Sequence, residues 1–422
     1  MNFAEKISIE SQLSIINKCI SQKIALHIEL EQLGLTYDDF RYKTNKPIDY
    51  SSAQYLTPDN FDYEFHGVPV VSFFSGAGGL DIGFEYAGFK HLAAIEINSL
   101  FCETLKRNRP SWSVIGPPEY NGDVRNKEDI YTLLKLMIGI SVPFEGIFLG
   151  GPPCQSFSIA ANQRFSKNGE NFKRIGFSHS EYGNLLFDFI WYVQEFKPRV
   201  FLIENVTGLL DIDGGTQLSE ALSILKRFGY SISKPTILNA ADYSIPQNRH
   251  RLFVVGHRTN SEFIFPKPCT VVVPCYKAFE KPITGLENHV KREHKAKSII
   301  RYMELDYGER DHLGRVDRLN PNLPSKTVIS GGTKGGGRSH LHPLYPRTLS
   351  VRESARLQTF PDNFVFCGSS ARQFTQVGNA VPPLLAFQLA RSIYSQIYAS
   401  SSSSSMVSSV SISSSTANIR LH

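Results

Sequence analysis

Four short segments carry side chains whose types and spacing suit group-transfer chemistry. The run from Phe74 to Phe84, FSGAGGLDIGF, puts glycines at 76, 78 and 79. There the missing Cβ atoms let a ligand approach the backbone and leave amides free at the start of a helix. Glu96 follows Gly76 by twenty residues, the spacing at which an acid binds both hydroxyls of a ribose. A dinucleotide fingerprint starting at Gly76 would need glycine at 81, where Asp81 stands, so a nucleoside cofactor suits the segment better. In Gly150 to Ser158, GGPPCQSFS, two prolines stiffen a loop that presents Cys154. A thiol there serves as a nucleophile if neighbouring amides or cations lower its pKa, although a single cysteine is more often packing. Glu204 opens the triplet ENV, and QNRHR supplies Arg249 and Arg251, two guanidinium groups for carbonyl or phosphate oxygens. A glycine-rich turn, a packed thiol and a surface ion pair would explain each segment alone. They do not explain why all four fall at the ends of strands.

Those strands are read from short apolar runs that alternate with helical spacing. Val68–Phe74, His91–Glu96, Glu145–Leu149, Arg199–Ile203 and Arg251–Gly256 read as strands. Helices read to about Ala87 and to about Arg107, over Ile130–Met137, Leu185–Phe196 and Gln217–Phe228, and from Pro382–Pro383 onward. Alternation of this kind predicts an α/β fold with a largely parallel sheet and ligand sites at the carboxyl ends of its strands. Ahead of it, Leu13, Ile16, Ile20, Ile24, His27 and Leu30 predict one amphipathic helix over 10–33, stopped by Gly34, and 36–66 reads as an extended arm.

Length and charge bound the rest. With 422 residues the chain exceeds what one core usually fills. Hydrophobic content of 41% with 20% charged residues excludes disorder as the main state. No apolar run approaches the roughly 18 residues of a membrane span, and the first twelve residues lack the basic and apolar regions of a secretory signal. Six scattered cysteines do not make a disulfide framework, which fits a reducing compartment. Between His257 and Ser350 there are 16 Lys and Arg against 9 Asp and Glu, a net of +7, whereas the remainder carries 29 against 30. This block also holds Gly331–Gly337, a glycine-rich loop, and its charge suggests an anionic partner, nucleic acid first. Cys269, Cys275, His289 and His294 do not make a zinc site, because the first spacing is too long, and no metal is expected. From Ala399 to His422, twelve of 24 residues are serine, which predicts a disordered tail.

Taken together, the chain resembles the C5-cytosine DNA methyltransferase family over about residues 68–398. The segments SGAGGLDIGFEYAGF, Gly150–Ser158, ENV, QNRHR, RESARLQTFPDNF (352–364) and QVGNAVPP (376–383) stand in the family's usual order. The resemblance implies a Rossmann-like S-adenosylmethionine-dependent methyltransferase sheet with helices on both faces, plus a smaller target recognition domain. It divides the chain into an N-terminal extension (1–66), a catalytic and cofactor-binding lobe (67–256), the recognition domain (257–350), a return to the catalytic lobe (351–398) and the tail (399–422). It also implies roles. Phe74, Gly76, Gly78, Glu96, Asp123, Leu186 and Asn379 bind S-adenosyl-L-methionine, with Glu96 on the ribose and Asp123 on the adenine amino group. Cys154 attacks C6 of a flipped cytosine, Glu204 serves N3, Arg251 contacts O2 and Arg249 supports the loop. Lys334 and Arg338 would follow the DNA groove. Two positions depart from the family's pattern: Ser72 stands where an acid is frequent, and Ile97 where many members have tryptophan.

The implied partner is double-stranded DNA, with no membrane. The implied setting is a monomer in the bacterial cytoplasm, with the nucleoid, beside a cognate restriction endonuclease encoded nearby but not necessarily bound. The same chemistry on tRNA is the nearest rival, and a non-catalytic DNA-binding protein that kept the fold is another. The basic block and the PPCQSFS segment favour DNA over tRNA, and intact Cys154, Glu204 and Arg251 favour an enzyme.

Overall fold

A computed structural model describes residues 7–44, 46–153, 185–330 and 339–399. In chain order the elements are α1 (Ile9–Gln22), α2 (Leu26–Gln32), β1 (Pro69–Phe73), α3 (Gly79–Tyr86), β2 (Lys90–Ile95), α4 (Ser99–Asn108), β3 (Ser113–Ile115), α5 (Lys127–Thr132) and β4 (Ile147–Gly150). There follow α6 (Leu185–Phe196), β5 (Val200–Asn205), α7 (Thr216–Arg227), β6 (Ser231–Ile232), β7 (Thr236–Asn239) and β8 (His250–His257). The last are α8 (Ala296–Met303), β9 (Arg310–Asp311), β10 (Val316–Asp317), α9 (Val351–Leu357), α10 (Ser370–Asn379) and α11 (Pro383–Ile393). Contacts group them into two units. One is Thr57–Tyr243, Arg249–Pro268 and Ala380–His422, here the sheet unit; the other is Met1–Leu56, Ser244–Asn248 and Cys269–Asn379, the second unit.

The sheet unit is an eight-stranded sheet flanked by helices, in the order β3-β2-β1-β4-β5-β8-β6, with β7 also paired to β8. The pairs from β3 to β5 are parallel, and β8 runs antiparallel to β5, β6 and β7. Strands such as Val70-Val-Ser-Phe73 and Ile147-Phe-Leu-Gly150 are buried along their length, as a sheet covered on both faces requires. Phe73, Phe148, Phe189, Tyr192 and Phe201 lie in one core with Ile95, Ile115 and Ile203. Each such side chain removed from water contributes roughly 1.5–3 kcal/mol. β1, β2, β4, β5 and β8 fall where the apolar runs predict them, and β3, β6 and β7 add to these. β8 is antiparallel, and β5 continues through Glu204 and Asn205 rather than stopping at Ile203.

The second unit has little regular structure. Its apolar core joins Ile16, Cys19, Leu26, Leu30 and Phe40 to Ile299, Met303, Val316 and Leu341. The single N-terminal helix expected over 10–33 is two helices, because Lys23 takes φ +57 and ends α1. The grouping also differs from the division expected from sequence: residues up to Leu56 belong with Cys269–Asn379, and α9 and α10 are in this unit too. The 331–338 loop and the serine-rich tail lie outside the described residues. Among the described residues no helix is long and apolar enough to cross a membrane, and no group of three or more His, Cys, Asp or Glu could hold a metal ion.

Candidate active site

The cofactor-binding expectation rests on the turn after β1. Phe74 (φ +57), Gly76 (φ +57) and Gly78 (φ +79) all have left-handed backbone, and Gly78 caps α3. That conformation strains any side chain-bearing residue by about 1 kcal/mol or more, so glycine suits two of the three positions and Phe74 is held by its surroundings. Glu96, just past β2, is buried. Its Oε2 accepts from the Gly76 amide and its Oε1 from the Asn98 amide, both at 2.8 Å. Burial raises the Glu96 carboxyl, and the amides of Asn98, Gly76 and Ile97 oppose that rise. Glu96 thus ties the glycine turn to the end of the neighbouring strand. Beneath the turn, Asp81 Oδ1 pairs with His91 Nε2 at 2.8 Å, and the His91 ring stacks on Trp112 with centroids 3.7 Å apart. Ser72, where the family often has an acid, is buried 3.0 Å from the Ser75 hydroxyl. Ile97, where many have tryptophan, is 54% exposed.

Asp123 is clasped by Arg125, whose Nε lies 2.9 Å from Oδ1 and whose Nη2 lies 2.7 Å from Oδ2. The Arg125 hydrogen bond holds the Asp123 carboxyl below its ordinary value. Leu186 is buried in the sheet unit's core from the first turn of α6. Asn379 is the last residue of α10, in the second unit.

The catalytic expectation rests on the ends of β5 and β8. Glu204 Oε1 is 3.1 Å from Arg251 Nε, with the two side chains only 13% and 16% exposed. Burial raises the Glu204 carboxyl, while Arg251 and then Arg249 oppose the rise. Arg249 is fully buried, and burial, then its neighbour Arg251, push its guanidinium down, with Glu204 opposing. Burial also lowers Arg251 against the pull of Glu204. At the end of β4, a Cβ on Gly151 would meet Glu204 Oε2 at 3.4 Å, and Asn205 Nδ2 donates to the Pro152 carbonyl at 3.1 Å. The stem of the PPC loop therefore runs beside the Glu204–Arg251 pair. Cys154 itself, like Lys334 and Arg338, lies outside the described residues. The sheet unit brings together Glu204, Arg249 and Arg251 at one place, and Phe74, Gly76, Gly78 and Glu96 at another.

Sequence reasoning missed three residues. A Cβ at Gly116 or Gly122 would sit 2.2 Å from the Glu96 carbonyl, so both positions must lack one for this backbone to pass. Arg125 is the third, and its only signal is the Asp-x-Arg spacing.

Comparison with known proteins fits this geometry. The sequence pattern described as "C-5 cytosine-specific DNA methylase" matches residues 68–395. Type II methyltransferase M.Eco47II of Escherichia coli is 30% identical over 384 residues, covering 83% of this chain and 86% of its own. Type II methyltransferase M.PspPI of Psychrobacter sp. is 32% identical over 356 residues, covering 77% and 78%. Among solved structures, a candidate DNA modification methyltransferase encoded in an E. coli prophage superposes with TM-score 0.63 at 24% identity, over 78% of this chain and 99% of that one. That likeness speaks for the fold alone. A match spanning most of the chain, with the strand-end carboxylate and guanidinium in place, assigns the protein to the C-5 cytosine-specific DNA methylase family.

Proposed function

We propose that the protein transfers a methyl group from S-adenosyl-L-methionine to C5 of a cytosine flipped out of duplex DNA, with Cys154, Glu204, Arg249 and Arg251 as its catalytic group. The observation that carries the reading is the buried Glu204–Arg251 pair beside the loop stem that leads to Cys154. Cytosine C5 is a poor nucleophile. Addition of the Cys154 thiolate to C6, with Glu204 giving a hydrogen bond or proton to N3 and Arg251 donating to O2, moves electron density to C5. The raised Glu204 carboxyl suits that role, since an acid must hold its proton to give it. After transfer, loss of the C5 proton lets the Cys154 sulfur leave and restores aromaticity. The target carbon is inaccessible in a stacked duplex, so the base must leave the helix.

The sheet unit fits the cofactor. The Gly76 and Asn98 amides each donate to one Glu96 oxygen without exhausting the carboxylate's acceptor capacity for ribose hydroxyls, and exposed Ile97 offers an apolar face to an adenine. Phe74, Gly76, Gly78, Asp123, Leu186 and Asn379 complete the proposed binding set. When bound, the sulfonium supplies the electrophilic methyl. Residues 257–350 would serve as the target recognition domain. The names of the Type II relatives support a place in a restriction–modification system. The wider setting proposed with it is a monomer acting on host DNA in the bacterial cytoplasm, at the nucleoid, with a cognate endonuclease encoded nearby.

Incubation with labelled S-adenosylmethionine and either duplex DNA or tRNA tests the reading. Label in DNA as 5-methylcytosine is the expected result, and label in tRNA alone would overturn it. Bisulfite sequencing of DNA from expressing cells gives the site.

A further inference from the structure

In the second unit, β9 and β10 form a short hairpin whose tip is His312, Leu313, Gly314 and Arg315. Two buried acids hold it from below. Asp311 accepts from the Gly314 amide at 2.7 Å and from Arg301 Nε and Nη2 at 3.0 and 3.2 Å. Asp317 accepts from Arg310 Nη1 at 3.0 Å and Lys326 Nζ at 2.9 Å. Arg315 has φ +54, a conformation a non-glycine residue keeps only when its surroundings impose it. The tip's own side chains take no part in this scaffold. Leu313 is 78% exposed, and among the described residues no hydrogen bond or ion pair engages the side chain of His312 or Arg315. Rigid backbone with unused polar and apolar side chains is what a reading element requires.

The hairpin continues a basic surface. Helix α8 buries Ala296, Ile299, Tyr302 and Met303 against the N-terminal helices, so its other face looks outward. On that face Lys297 precedes Arg301 by one turn, and Arg301 is the residue paired with Asp311. Arg292, Lys295 and Lys297 are exposed and have no ion pair among the described residues. Of the nearby acids, Glu304 pairs with Lys43, and exposed Glu293 lies 3.4 Å from His27, an ion pair only when that ring carries a proton.

We propose that this surface reads the target duplex: Arg292, Lys295 and Lys297 lie on phosphates, and the tip residues His312, Leu313 and Arg315 reach base edges in the major groove. The Arg315 fork matches O6 and N7 of a guanine, and Leu313 suits the methyl of a thymine. The inference rests on the reading that the substrate is duplex DNA, and it adds which side chains choose the sequence.

Three variants of the full-length protein test it: Arg315→Gly, which also relieves the left-handed backbone, Arg315→Lys and Lys297→Ala. Each is compared with wild type in S-adenosylmethionine affinity, DNA anisotropy against salt, and methylation of a random-sequence duplex pool read by bisulfite sequencing. Arg315→Gly should lower kcat/KM on the cognate site by about 10- to 100-fold and relax one base position, with cofactor affinity unchanged. Arg315→Lys should relax the same position yet keep the salt slope. Lys297→Ala should weaken all sequences alike and make the log–log salt slope shallower by about 0.9. Wild-type site profiles and salt slopes in all three variants, from an enzyme that does methylate DNA, would overturn the inference and leave the catalytic reading intact. Wild type that forms no 5-methylcytosine but loses DNA affinity on these substitutions would support the surface and sink the catalytic reading.

Discussion

The two units keep backbone polar groups out of water by different means. In the sheet unit, parallel ladders pair most of the strand backbone, and the space between sheet and helices is filled by Phe, Ile, Val and Leu. The second unit has few ladders, and buried arginines take their place. Among the described residues, four of the five largest fully buried side chains, Arg318, Arg347, Arg352 and Arg356, are here, and the fifth, Arg249, is in the sheet unit. Arg318 donates to the carbonyls of Pro343, Thr44 and Leu305 and stacks 3.5 Å from the Tyr42 ring. Arg352 donates to Glu287, Pro361 and Phe364, and Arg356 to Lys281 and Pro282. A guanidinium offers five donors in a fixed fork, so one side chain satisfies several loop carbonyls that no strand or helix pairs. Irregular backbone is thus bought with buried charge, and the unit should be correspondingly sensitive to losing it.

The largest expected effect is at the catalytic group proposed for the strand ends of the sheet unit. Glu204→Gln should lower kcat by roughly 10²- to 10⁴-fold while leaving DNA affinity within a few-fold, read by single-turnover methylation and anisotropy. An equal loss in DNA affinity would mean that the carboxylate serves binding rather than proton delivery. Because burial raises this carboxyl, the wild-type rate should fall as pH rises through its shifted pKa.

Next comes the second unit's central ion pair. Arg347 makes two bonds to Glu353, at 2.8 and 2.7 Å, and also pairs with Asp38. Burial alone would raise the Glu353 carboxyl, but Arg347 outweighs it and holds the group far below the carboxylate range. Arg347→Met would strand Glu353, whereas Asp38 keeps its pair with Lys291, at a cost of about 3–5 kcal/mol in denaturant unfolding. A loss below 1 kcal/mol would show that arginine clamping is not what holds this unit.

Acid should weaken both units through histidines whose pKa burial lowers, His66 of the sheet unit among them, pushed down to about 4. Burial pushes His294 down to about 4 and His342 down to about 3, from an ordinary 6.5. Their unfolded forms bind protons below about pH 6.5 and their folded forms do not, so stability is lost as pH falls from 6.5 towards 4. His294 alone accounts for about 3 kcal/mol of that loss. Thermal melts between pH 7 and 4.5 should show it, and His294→Gln should flatten the curve.

The smallest effect concerns the N-terminal segment, which precedes the family match at residue 68. Ile16→Val, in the core shared with Ile299 and Met303, should cost roughly 0.5–1.5 kcal/mol in the second unit and leave S-adenosylmethionine affinity unchanged. No loss of stability would mean that α1 is an appendage.

The same contrast explains what could be read from sequence. Strands β1, β2, β4 and β5 are apolar runs bounded by turn residues, so their existence is legible, and the residues proposed for the chemistry stand at or just past their ends. β3, β6 and β7 have three, two and four residues, too few to show a period. The break between α1 and α2 falls on Lys23, with no glycine or proline to announce it. In the second unit the misleading signal is charge itself. Arg318 and Arg347 count towards the +7 of residues 257–350, yet both are 1% exposed and hold loops together. The excess therefore overstates the charge available to a nucleic acid. The exposed share, which includes Arg292, Lys295, Lys297 and Arg315, follows no sequence pattern that sets it apart from the buried share.

In the proposed reaction the strand-end group of the sheet unit performs covalent chemistry on cytosine. A duplex carrying 5-fluorocytosine at the methylated position tests it most directly, because fluorine at C5 blocks the final elimination. With S-adenosylmethionine present, the expected result is a denaturation-resistant protein–DNA complex whose cross-linked peptide contains Cys154, abolished by Cys154→Ser and slowed by Glu204→Gln. No complex from an enzyme that methylates ordinary cytosine in the same duplex, or a cross-link at another residue, would contradict it.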